Sequence, residues 1–278
     1  MLKYIRIILI ALFCAALAGA AGVFYYNYTH EDTVAPVIQA DSELIEVSVT
    51  DPQEALIQGL HASDNVDGDL TAKIRIKNIS TLLNETDVNV TYIVFDAASN
   101  YSTYTRTARY LDYTSPKFEL VKPMIFKLGE TVSYTNAIIV RDQRDGNITG
   151  RLKLESSTVV NNTPGFYTAE LSATNRMGDT IRLPLTIQIT DNSASRPSIV
   201  LKSYLIYLKQ GQHPNYRRYL TEVIDPLTGK DETPVPLYKV SVNEKNVDTD
   251  KPGVYEVYYY YTGISGEVAT VILTVVVE

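Results

Sequence analysis

The chain has 278 residues, with 25 Lys and Arg against 32 Asp and Glu, which gives a formal net charge of −7. This balance argues against a nucleic-acid-binding surface, because such a surface needs clustered positive charge. The single cysteine, Cys14, excludes an internal disulfide, a thiolate zinc cluster and a cysteine nucleophile in the remainder of the chain. The 21 tyrosines, without any tryptophan, favour β structure.

The N-terminal segment is apolar and long enough to cross a membrane. Lys3 and Arg6 precede an uncharged run over residues 7–26. A helix of this length, rising about 1.5 Å per residue, covers roughly 30 Å, which is the thickness of a bilayer core. The two cations should stay cytoplasmic, so the residues after Tyr26 should lie outside. We therefore predict a single-pass cell-membrane protein, in which residues 1–32 form a cytoplasmic stub, a membrane anchor and a tether.

A cleaved signal peptide is the alternative interpretation of this segment. Ala18-Gly19-Ala20 supplies a small-residue cleavage site after an apolar region. The apolar run nevertheless continues to Tyr25 and Tyr26, and aromatic side chains are typical of the outer interface of a membrane helix. The anchor interpretation is favoured for this reason. With cleavage the protein would be secreted, and under both interpretations the rest of the chain is exported.

An aspartate-rich stretch occurs twice. DNVDGDLT at 64–71 recurs as DQRDGNIT at 142–149, with every matching position separated by 78 residues. The same offset takes Asp96 to Thr174 and Asn100 to Gly178. An internal repeat of about this length predicts a series of similar small domains.

A third copy is recognisable by a different element. NNTPGFYTAEL at 161–171 matches DTDKPGVYEVYY at 248–259 through its Pro, Gly and Tyr positions. Each unit opens on a proline that follows a short polar segment, as is usual for the first residue of a strand. The predicted domains are residues 33–112, 113–192 and a divergent third domain at 196–278.

Alternating apolar and polar residues predict strands in every unit. The clearest stretches are VNVTYIVFDA at 88–97, LPLTIQIT at 183–190 and VATVILTVVVE at 268–278, each rich in β-branched residues. Helical periodicity is not convincing anywhere after residue 30. We predict an all-β protein with three tandem immunoglobulin-like β-sandwiches after one N-terminal transmembrane helix. Tyr167 and Tyr255, after their Pro-Gly turns, resemble the tyrosine at the E–F corner of immunoglobulin-like folds.

These motifs together resemble a known family. D-N-x-D-G-D-L-T, the P-G-x-Y turn and Y-x-V-x-D-A-A-S-N at 92–100 are similar to the repeats of bacterial immunoglobulin-like surface domains. Such domains occur in tandem on exported bacterial proteins and in some pesticidal crystal proteins, and they are similar to the hyalin-repeat type. The resemblance implies a modular surface role and no catalytic residues.

Two interpretations of the aspartate loop remain open. In the first it is a turn, in which Asp and Asn side chains bond to nearby backbone N–H groups and Gly takes positive φ. In the second, Asp64, Asp67 and Asp69 supply carboxylates to a calcium ion. The turn is favoured, because the second copy has Asn147 at the Asp69 position and Arg144 inside the loop, which would oppose a cation. No other cofactor is expected.

The three histidines do not indicate catalytic machinery. His30, His61 and His213 are distributed over the tether and two different units, and no serine lies in a nucleophile-elbow sequence. We expect a non-enzymatic bacterial cell-surface protein that acts as a stalk, an adhesion module or a protein-interaction module. The alternatives are a secreted carbohydrate-binding module and a structural subunit of an envelope complex.

One aromatic cluster invites a ligand. In VYYYYTG at 257–263, a strand would place Tyr258 and Tyr260 on one face and Tyr259 and Tyr261 on the other. One pair should pack in the core, and the other could contact a sugar ring or a partner protein. We therefore expect an extracellular protein or glycan to bind through the third domain.

Overall fold

The computed structural model describes residues 2–228 and 235–278, so Met1 of the predicted stub and residues 229–234 of the predicted third domain lie outside the described residues. One N-terminal helix is followed by strands, turns and short 3-10 helices. The prediction of all-β sandwiches after one N-terminal helix is confirmed. The chain divides into two compact units, Met1–Leu111 and Asp112–Glu278. Six sheets hold the strands, two in each of the three predicted ranges, whose exact bounds stay a prediction.

Helix α1 spans Leu2–His30. Its segment Lys3–Tyr26 has a mean hydropathy of 2.6 and none of it is buried against the protein. Apolar side chains cover the whole circumference, so the helix has no polar face that would suit water. It is long and apolar enough to cross a membrane, and its position near the N-terminus also suits a signal sequence.

The first sandwich consists of two sheets that enclose alternate residues of each strand. Strand β2 lies parallel to β7 at the edge of the larger sheet, and the other pairings are antiparallel. The sheet orders are β1-β3-β4 and β2-β7-β6-β5. The strands are β1 (Val37–Ala40), β2 (Leu44–Val47), β3 (Leu60–Asp64), β4 (Gly68–Asp69), β5 (Arg75–Ile79), β6 (Asp87–Phe95) and β7 (Tyr101–Tyr110). The apolar residues that alternate along β6 in the sequence are the ones buried in the structure. These are Val88, Val90, Tyr92 and Val94.

A buried arginine crosses the core of this sandwich. Arg106 is 3% exposed, and its Nη2 donates to the carbonyl oxygens of Leu56 (2.9 Å) and Gln58 (2.6 Å). Its guanidinium lies 5.4 Å from the ring centre of Tyr92, whose hydroxyl also donates to the Leu56 carbonyl. Arg106 and Tyr92 therefore hold a short 3-10 helix, Gln53–Ile57, against β6 and β7.

The first sandwich has no Pro-Gly-Tyr turn before β6, and a carboxylate holds this corner instead. Asp87 accepts hydrogen bonds from Asn84 Nδ2 (3.0 Å) and the Thr86 hydroxyl (3.1 Å), and it forms a two-point ion pair with Arg109. Arg109 and then Asn84 hold the pKa of this carboxyl well below its usual range.

We expect acid to weaken the first sandwich through Asp87. Because the folded-state pKa is depressed, its stabilising contribution is complete above the unfolded pKa of about 4 and is lost as the pH falls toward the folded value. Urea unfolding between about pH 6 and pH 3 should show Asp87→Asn less stable than the parent at the higher pH, with the difference beginning to narrow below about pH 4. Parallel curves would show that Asp87 does not carry this dependence.

The second sandwich repeats this arrangement within the second unit. Its sheets are ordered β11-β10-β8 and β12-β13-β14-β9, with β9 parallel to β14. The hydroxyl of Tyr167 donates to the Thr163 carbonyl four residues earlier at 2.8 Å, which is the geometry of a tyrosine corner. The strands are β8 (Lys117–Leu120), β9 (Ile125–Lys127), β10 (Ile138–Asp142), β11 (Gly146–Asn147), β12 (Lys153–Ser157), β13 (Gly165–Thr174) and β14 (Thr180–Thr190).

The third sandwich has a smaller first sheet. The sheets are β15-β17 and β16-β20-β19-β18, with β16 parallel to β20. Tyr255 repeats the tyrosine corner by donating to the Lys251 carbonyl at 3.1 Å. The strands are β15 (Ser198–Leu201), β16 (Leu205–Leu208), β17 (Leu220–Ile224), β18 (Ser241–Asn243), β19 (Gly253–Thr262) and β20 (Val268–Val277).

The second and third sandwiches pack against each other inside the second unit. Leu205 of β16 belongs to the apolar core of the second sandwich, and Ile125 of β9 packs on the core of the third. The backbone N–H of Phe118 donates to the hydroxyl of Tyr207 at 2.9 Å, and Lys117 Nζ lies 4.4 Å from the centre of that ring. This shared apolar surface explains why the two sandwiches form one compact unit.

Candidate functional site

The first aspartate loop forms the turn that the sequence indicates. Asp64, the last residue of β3, accepts hydrogen bonds on Oδ1 from the backbone N–H groups of Val66 (2.8 Å) and Asp67 (2.9 Å). These N–H groups, with that of Asp67 contributing most, lower the pKa of Asp64. Gly68 has φ +73°, a conformation that side chains rarely adopt, so glycine is needed there.

The other two aspartates of the predicted calcium set face backbone donors. Asp67 Oδ2 accepts from the N–H of Ala97 at 2.6 Å, and Asp69 Oδ1 accepts from the N–H of Thr71 at 2.9 Å. The hydroxyl of Thr71, followed by its N–H, lowers the pKa of Asp69. Asp64, Asp67 and Asp69 are thus three pieces of the turn, and the structure does not gather them around a common point.

A different group of carboxylates does converge at this corner. One carboxylate oxygen each from Asp32, Asp64 and Asp96 lies within 4.8 Å of the other two. Asp32 follows α1 by two residues, and Asp96 follows β6 directly. Asp96 is 7% exposed, and Asn100 donates to it from both its backbone N–H (2.7 Å) and its side-chain Nδ2 (2.8 Å).

Two oxygens of this group are enclosed without a hydrogen-bond partner. Asp32 Oδ2 and Asp64 Oδ2 each have less than 1 Å² exposed and accept no hydrogen bond from the described part of the chain. The second oxygen of each residue is used locally: Asp32 Oδ1 accepts from the N–H of Val34 at 3.0 Å. Asn100 Nδ2 also donates to the Asp32 carbonyl at 2.9 Å, which ties the tether to the turn after β6.

The second sandwich builds the same corner with an amide and a hydroxyl beside its aspartates. Asp142 stands in the place of Asp64, and its Oδ1 accepts from the N–H groups of Arg144 and Asp145. Its Oδ2 accepts from Asn175 Nδ2 at 2.9 Å. The same Asn175 group donates to the Tyr113 hydroxyl (2.8 Å), which in turn donates to Asp179 Oδ2 (2.7 Å). Burial and Asp179 raise the pKa of Tyr113, so its hydroxyl keeps its proton.

This comparison corrects the register of the repeat. The offset of 78 that relates the two loops assigns Asp96 to Thr174, but the structure places Asn175 there, because Arg176 N–H bonds to Asp145 as Ala97 N–H bonds to Asp67. The strand pairings show the reason. Ile79 pairs with Val90, whereas Ser157 pairs with Ala169, so the second connection is one residue longer.

The third sandwich has a single carboxylate at this corner. Asp225 follows β17, and its Oδ2 accepts from the N–H of Ile264 (2.9 Å) and the hydroxyl of Tyr261 (3.3 Å). Gly263 occupies the place of Asp96, and a Cβ on this glycine would lie 2.9 Å from Asp225 Oδ2. At the position of Asp96 the three corners therefore carry an aspartate, an asparagine and a glycine.

The tyrosine run of β19 divides as the strand alternation predicts. Tyr259 and Tyr261 are buried, and Tyr259 donates to the Tyr216 carbonyl at 2.8 Å. Tyr258 and Tyr260 are half-buried on the other face and stack with ring centres 6.1 Å apart and planes 8° apart. Phe166 of the second sandwich meets Tyr258 edge to face at 6.5 Å and is 53% exposed. We call Phe166, Tyr258 and Tyr260 the aromatic face.

Tyr258 is partly fixed by its neighbours. Its hydroxyl donates to Glu256 Oε2 at 2.6 Å. Burial, followed by this hydrogen bond, raises the pKa of Tyr258 to about 12. The ring is thus a preformed flat surface, and such a ring can stack on a sugar or on another side chain at a low cost in side-chain entropy.

The second unit also contains two open clefts between its sandwiches. One, of about 410 Å³, is lined by Ile125, Asp191, Arg196 and Thr270 among others, and Arg196 forms a two-point ion pair with Asp191 inside it. The other, of about 730 Å³, is lined by Tyr204, Tyr207 and Tyr219 among others. Elsewhere, His61 lies 3.4 Å from Asp41 on the surface, and His213 bonds to Thr249.

Comparison with known proteins gives one relative by sequence. No family model matches the chain. The chain is similar to the pesticidal crystal protein Cry22Aa of Bacillus thuringiensis, with 24% identity over 241 residues, covering 84% of this chain and 32% of that protein. The chain thus spans about a third of the length of this curated relative. The similarity agrees with the resemblance drawn from the aspartate loop, which includes pesticidal crystal proteins.

Solved structures with local similarity come from several sources. A structure of the CBM51-2 and INT domains of Clostridium perfringens ZmpB is 31% identical over 24% of this chain and 15% of that chain, with a TM-score of 0.23. The lipoprotein BT2262 of Bacteroides thetaiotaomicron is 14% identical over 58% of this chain and 80% of that chain, with a TM-score of 0.25. A protocadherin gammaB7 EC3-6 structure is 16% identical over 88% of this chain and 74% of that chain, with a TM-score of 0.20. TM-scores this low carry no argument about shared fold.

Proposed function

We propose that this chain is a non-enzymatic bacterial cell-surface protein whose tandem immunoglobulin-like sandwiches hold out a binding surface for an extracellular partner. The observation that carries the proposal is the aromatic face. Phe166, Tyr258 and Tyr260 form a row of half-exposed rings across two sandwiches of one compact unit. Aromatic residues are enriched at protein interfaces, and flat rings also stack on sugars.

Helix α1 supports the proposed location. Lys3 and Arg6 stand at the N-terminal end of an apolar segment that ends at Tyr26. Retention of this segment leaves the sandwiches outside the cell on a single-pass anchor, in which residues 7–26 contact the membrane. Cleavage after Ala20 would release them as a secreted module.

A protein partner is favoured over a glycan by the shape of the aromatic face. The row lies on the face of β19 opposite the buried Tyr259 and Tyr261, and half-exposed aromatic surfaces suit protein contacts. A secreted carbohydrate-binding module remains the second candidate because the stacked Tyr258 and Tyr260 rings are also suited to a sugar ring. A purely structural subunit of an envelope complex would need no such exposed row.

Loss of the aromatic face should abolish partner binding. In the double variant Phe166→Ala and Tyr260→Ala, we expect at least a tenfold loss of affinity, because truncation of a buried interface aromatic costs about 2 kcal/mol or more. The full chain in native membranes would be crosslinked to surface partners and, in parallel, applied to a glycan array. Sequencing the N-terminus of the recovered chain separates the anchored form, which retains residues 1–20, from the cleaved form.

The matched control is Tyr238→Ala, which removes a tyrosine of the third sandwich that is 78% exposed and lies away from the row. It should bind as the parent does. Equal binding by the double variant and the parent would contradict the proposed surface, and binding to glycans alone would select the carbohydrate alternative.

A further inference from the structure

We propose that Asp32, Asp64 and Asp96 form a calcium site that joins the tether after helix α1 to the first sandwich. The site differs from the set Asp64, Asp67 and Asp69 that the loop sequence indicates. It does not depend on the aromatic face or on any partner.

The first step of the argument is charge. Three carboxylates with oxygens within 4.8 Å of one another repel strongly when ionised. No Lys, Arg or His forms an ion pair with any of the three among the residues whose side chains the structure describes, 3–26, 31–228 and 235–278. A bound cation would remove this repulsion.

The second step is the pair of enclosed oxygens without partners. A buried polar atom without a hydrogen bond is rare in folded proteins and costs about 1–3 kcal/mol, and more if it is charged. Here two such atoms, Asp32 Oδ2 and Asp64 Oδ2, belong to the same acidic group. This coincidence is what a site for an ion produces, because a metal ligand needs no hydrogen-bond donor.

The third step is the comparison with the second sandwich. There the same corner has Asn175 in place of Asp96, and its Nδ2 donates to the Asp142 oxygen that corresponds to the unpartnered oxygen of Asp64. The described part of the second corner leaves no side-chain oxygen enclosed and unpartnered. The chain therefore contains both an amide-bonded and an all-carboxylate form of one corner, and only the latter needs a cation.

Calcium fits this donor set better than other biological cations. Hard carboxylate oxygens select Ca²⁺ or Mg²⁺ over the transition metals, and Ca²⁺ accepts irregular sets of six to eight oxygens. Water and nearby carbonyls, such as that of Val34, can complete the shell. Mg²⁺ demands a regular octahedron and keeps most of its water, so it should bind more weakly here.

The consequence of binding is local ordering. Asp32 lies in the tether, whereas Asp64 and Asp96 end two strands of the sandwich. An ion shared by all three would hold residues 31–36 against the domain. Loss of calcium would free this joint while both sheets stay folded.

The test uses the full chain in detergent at about pH 7, with Ca²⁺, Mg²⁺ or chelator. At about 5 mM Ca²⁺, and a dissociation constant of roughly 0.1–1 mM as in extracellular modules, the melting temperature of the first sandwich should rise by about 4–18 °C over the chelated protein. Hydrogen exchange should slow over residues 31–36, and Mg²⁺ should give less than half of the melting shift.

Two variants remove the site without removing the turn. Asp96→Asn introduces the amide of the second corner, and Asp32→Asn alters a side chain whose hydrogen bond in the described part of the chain is to the N–H of Val34. Both should lose the calcium-induced shift, and in chelator both should melt no lower than the parent because repulsion is relieved. Asp69→Asn is the control, since Asn147 keeps the same bond to its threonine in the second loop, and its shift should equal that of the parent.

Several results would overturn the proposal. One is an unchanged melting temperature of the parent in calcium and chelator, which would show that the carboxylates share a proton instead. Another is an equal calcium shift in Asp96→Asn and the parent, which would place binding elsewhere. A shift lost in Asp69→Asn but kept in Asp32→Asn would return the site to the loop.

Discussion

Replacing Asn175 by aspartate is expected to destabilise the second sandwich by about 3–5 kcal/mol at pH 7, the range for an uncompensated buried charge. Asn175 is 5% exposed and donates to both Asp142 and Tyr113. The substitution turns this donor into a second carboxylate against Asp142, also 5% exposed, and leaves the Tyr113 oxygen without its donor.

The loss of stability in Asn175→Asp should become smaller as the pH falls. An ordinary paired aspartate behaves in the opposite way, because the stability that it contributes is lost as the pH falls. Burial beside Asp142 raises the folded-state pKa of the new carboxyl, so the penalty is full above that raised value and disappears as the pH falls to about 4, where the unfolded chain is also protonated. Urea unfolding from pH 7 to pH 4 should therefore show the variant approaching the parent.

The control for this experiment is Asn162→Asp, which adds the same charge at an exposed position of the same sandwich. It should change stability by less than about 0.5 kcal/mol, as is usual for surface substitutions. If Asn175→Asp were equally harmless in chelator, the hydrogen-bonded description of the second corner would be wrong. If calcium restored the stability of Asn175→Asp, the second corner would have gained the calcium binding that we propose for the first.

Truncation of Arg106 should have a comparable effect on the first sandwich. Arg106→Ala removes a buried guanidinium, leaves the Gln58 carbonyl without its donor and opens a cavity beside Tyr92. We expect a loss of about 3–5 kcal/mol, because unsatisfied carbonyls and lost packing add. Thermal and urea unfolding of the full chain should show the transition of the first unit shifted and that of the second unchanged.

Two further variants separate the contributions. Arg106→Lys keeps a charge but cannot reproduce the fork that reaches two carbonyls, so it should recover less than half of the loss. Lys77→Ala, at an exposed position of β5, should be close to neutral. A neutral Arg106→Ala would show that Tyr92 alone, through its bond to Leu56, holds the 3-10 turn.

The sequence was sufficient for the features that depend on local pattern. Alternation correctly assigned Tyr259 and Tyr261 to the core and Tyr258 and Tyr260 to the outer face, because neighbouring side chains of a strand point to opposite sides. The loop at Asp64 was also identifiable as a turn, since Asp and Gly have well-defined local roles there.

The acidic corner formed by Asp32, Asp64 and Asp96 could not be predicted from local sequence pattern. Asp32, Asp64 and Asp96 lie far apart in the chain, and they meet only because the sheet that contains β1 and β3 packs on the sheet that contains β6. The extra residue in the second connection also concealed the equivalence of Asp96 and Asn175, because a one-residue shift exchanges the two faces of a strand. A buried arginine such as Arg106 has no sequence signal, since most arginines lie on the surface.

Gly263 sets a limit on how this protein can diverge. A Cβ at that position would lie 2.9 Å from Asp225 Oδ2 and 3.0 Å from the Cγ of Pro197, so no residue with a side chain fits without displacing its surroundings. One substitution, at Asn175, would give the second corner two adjoining carboxylates, whereas Gly263 bars the third corner from a second one. The proposed dependence on calcium can therefore be acquired or discarded module by module, and the third module is committed to independence from it.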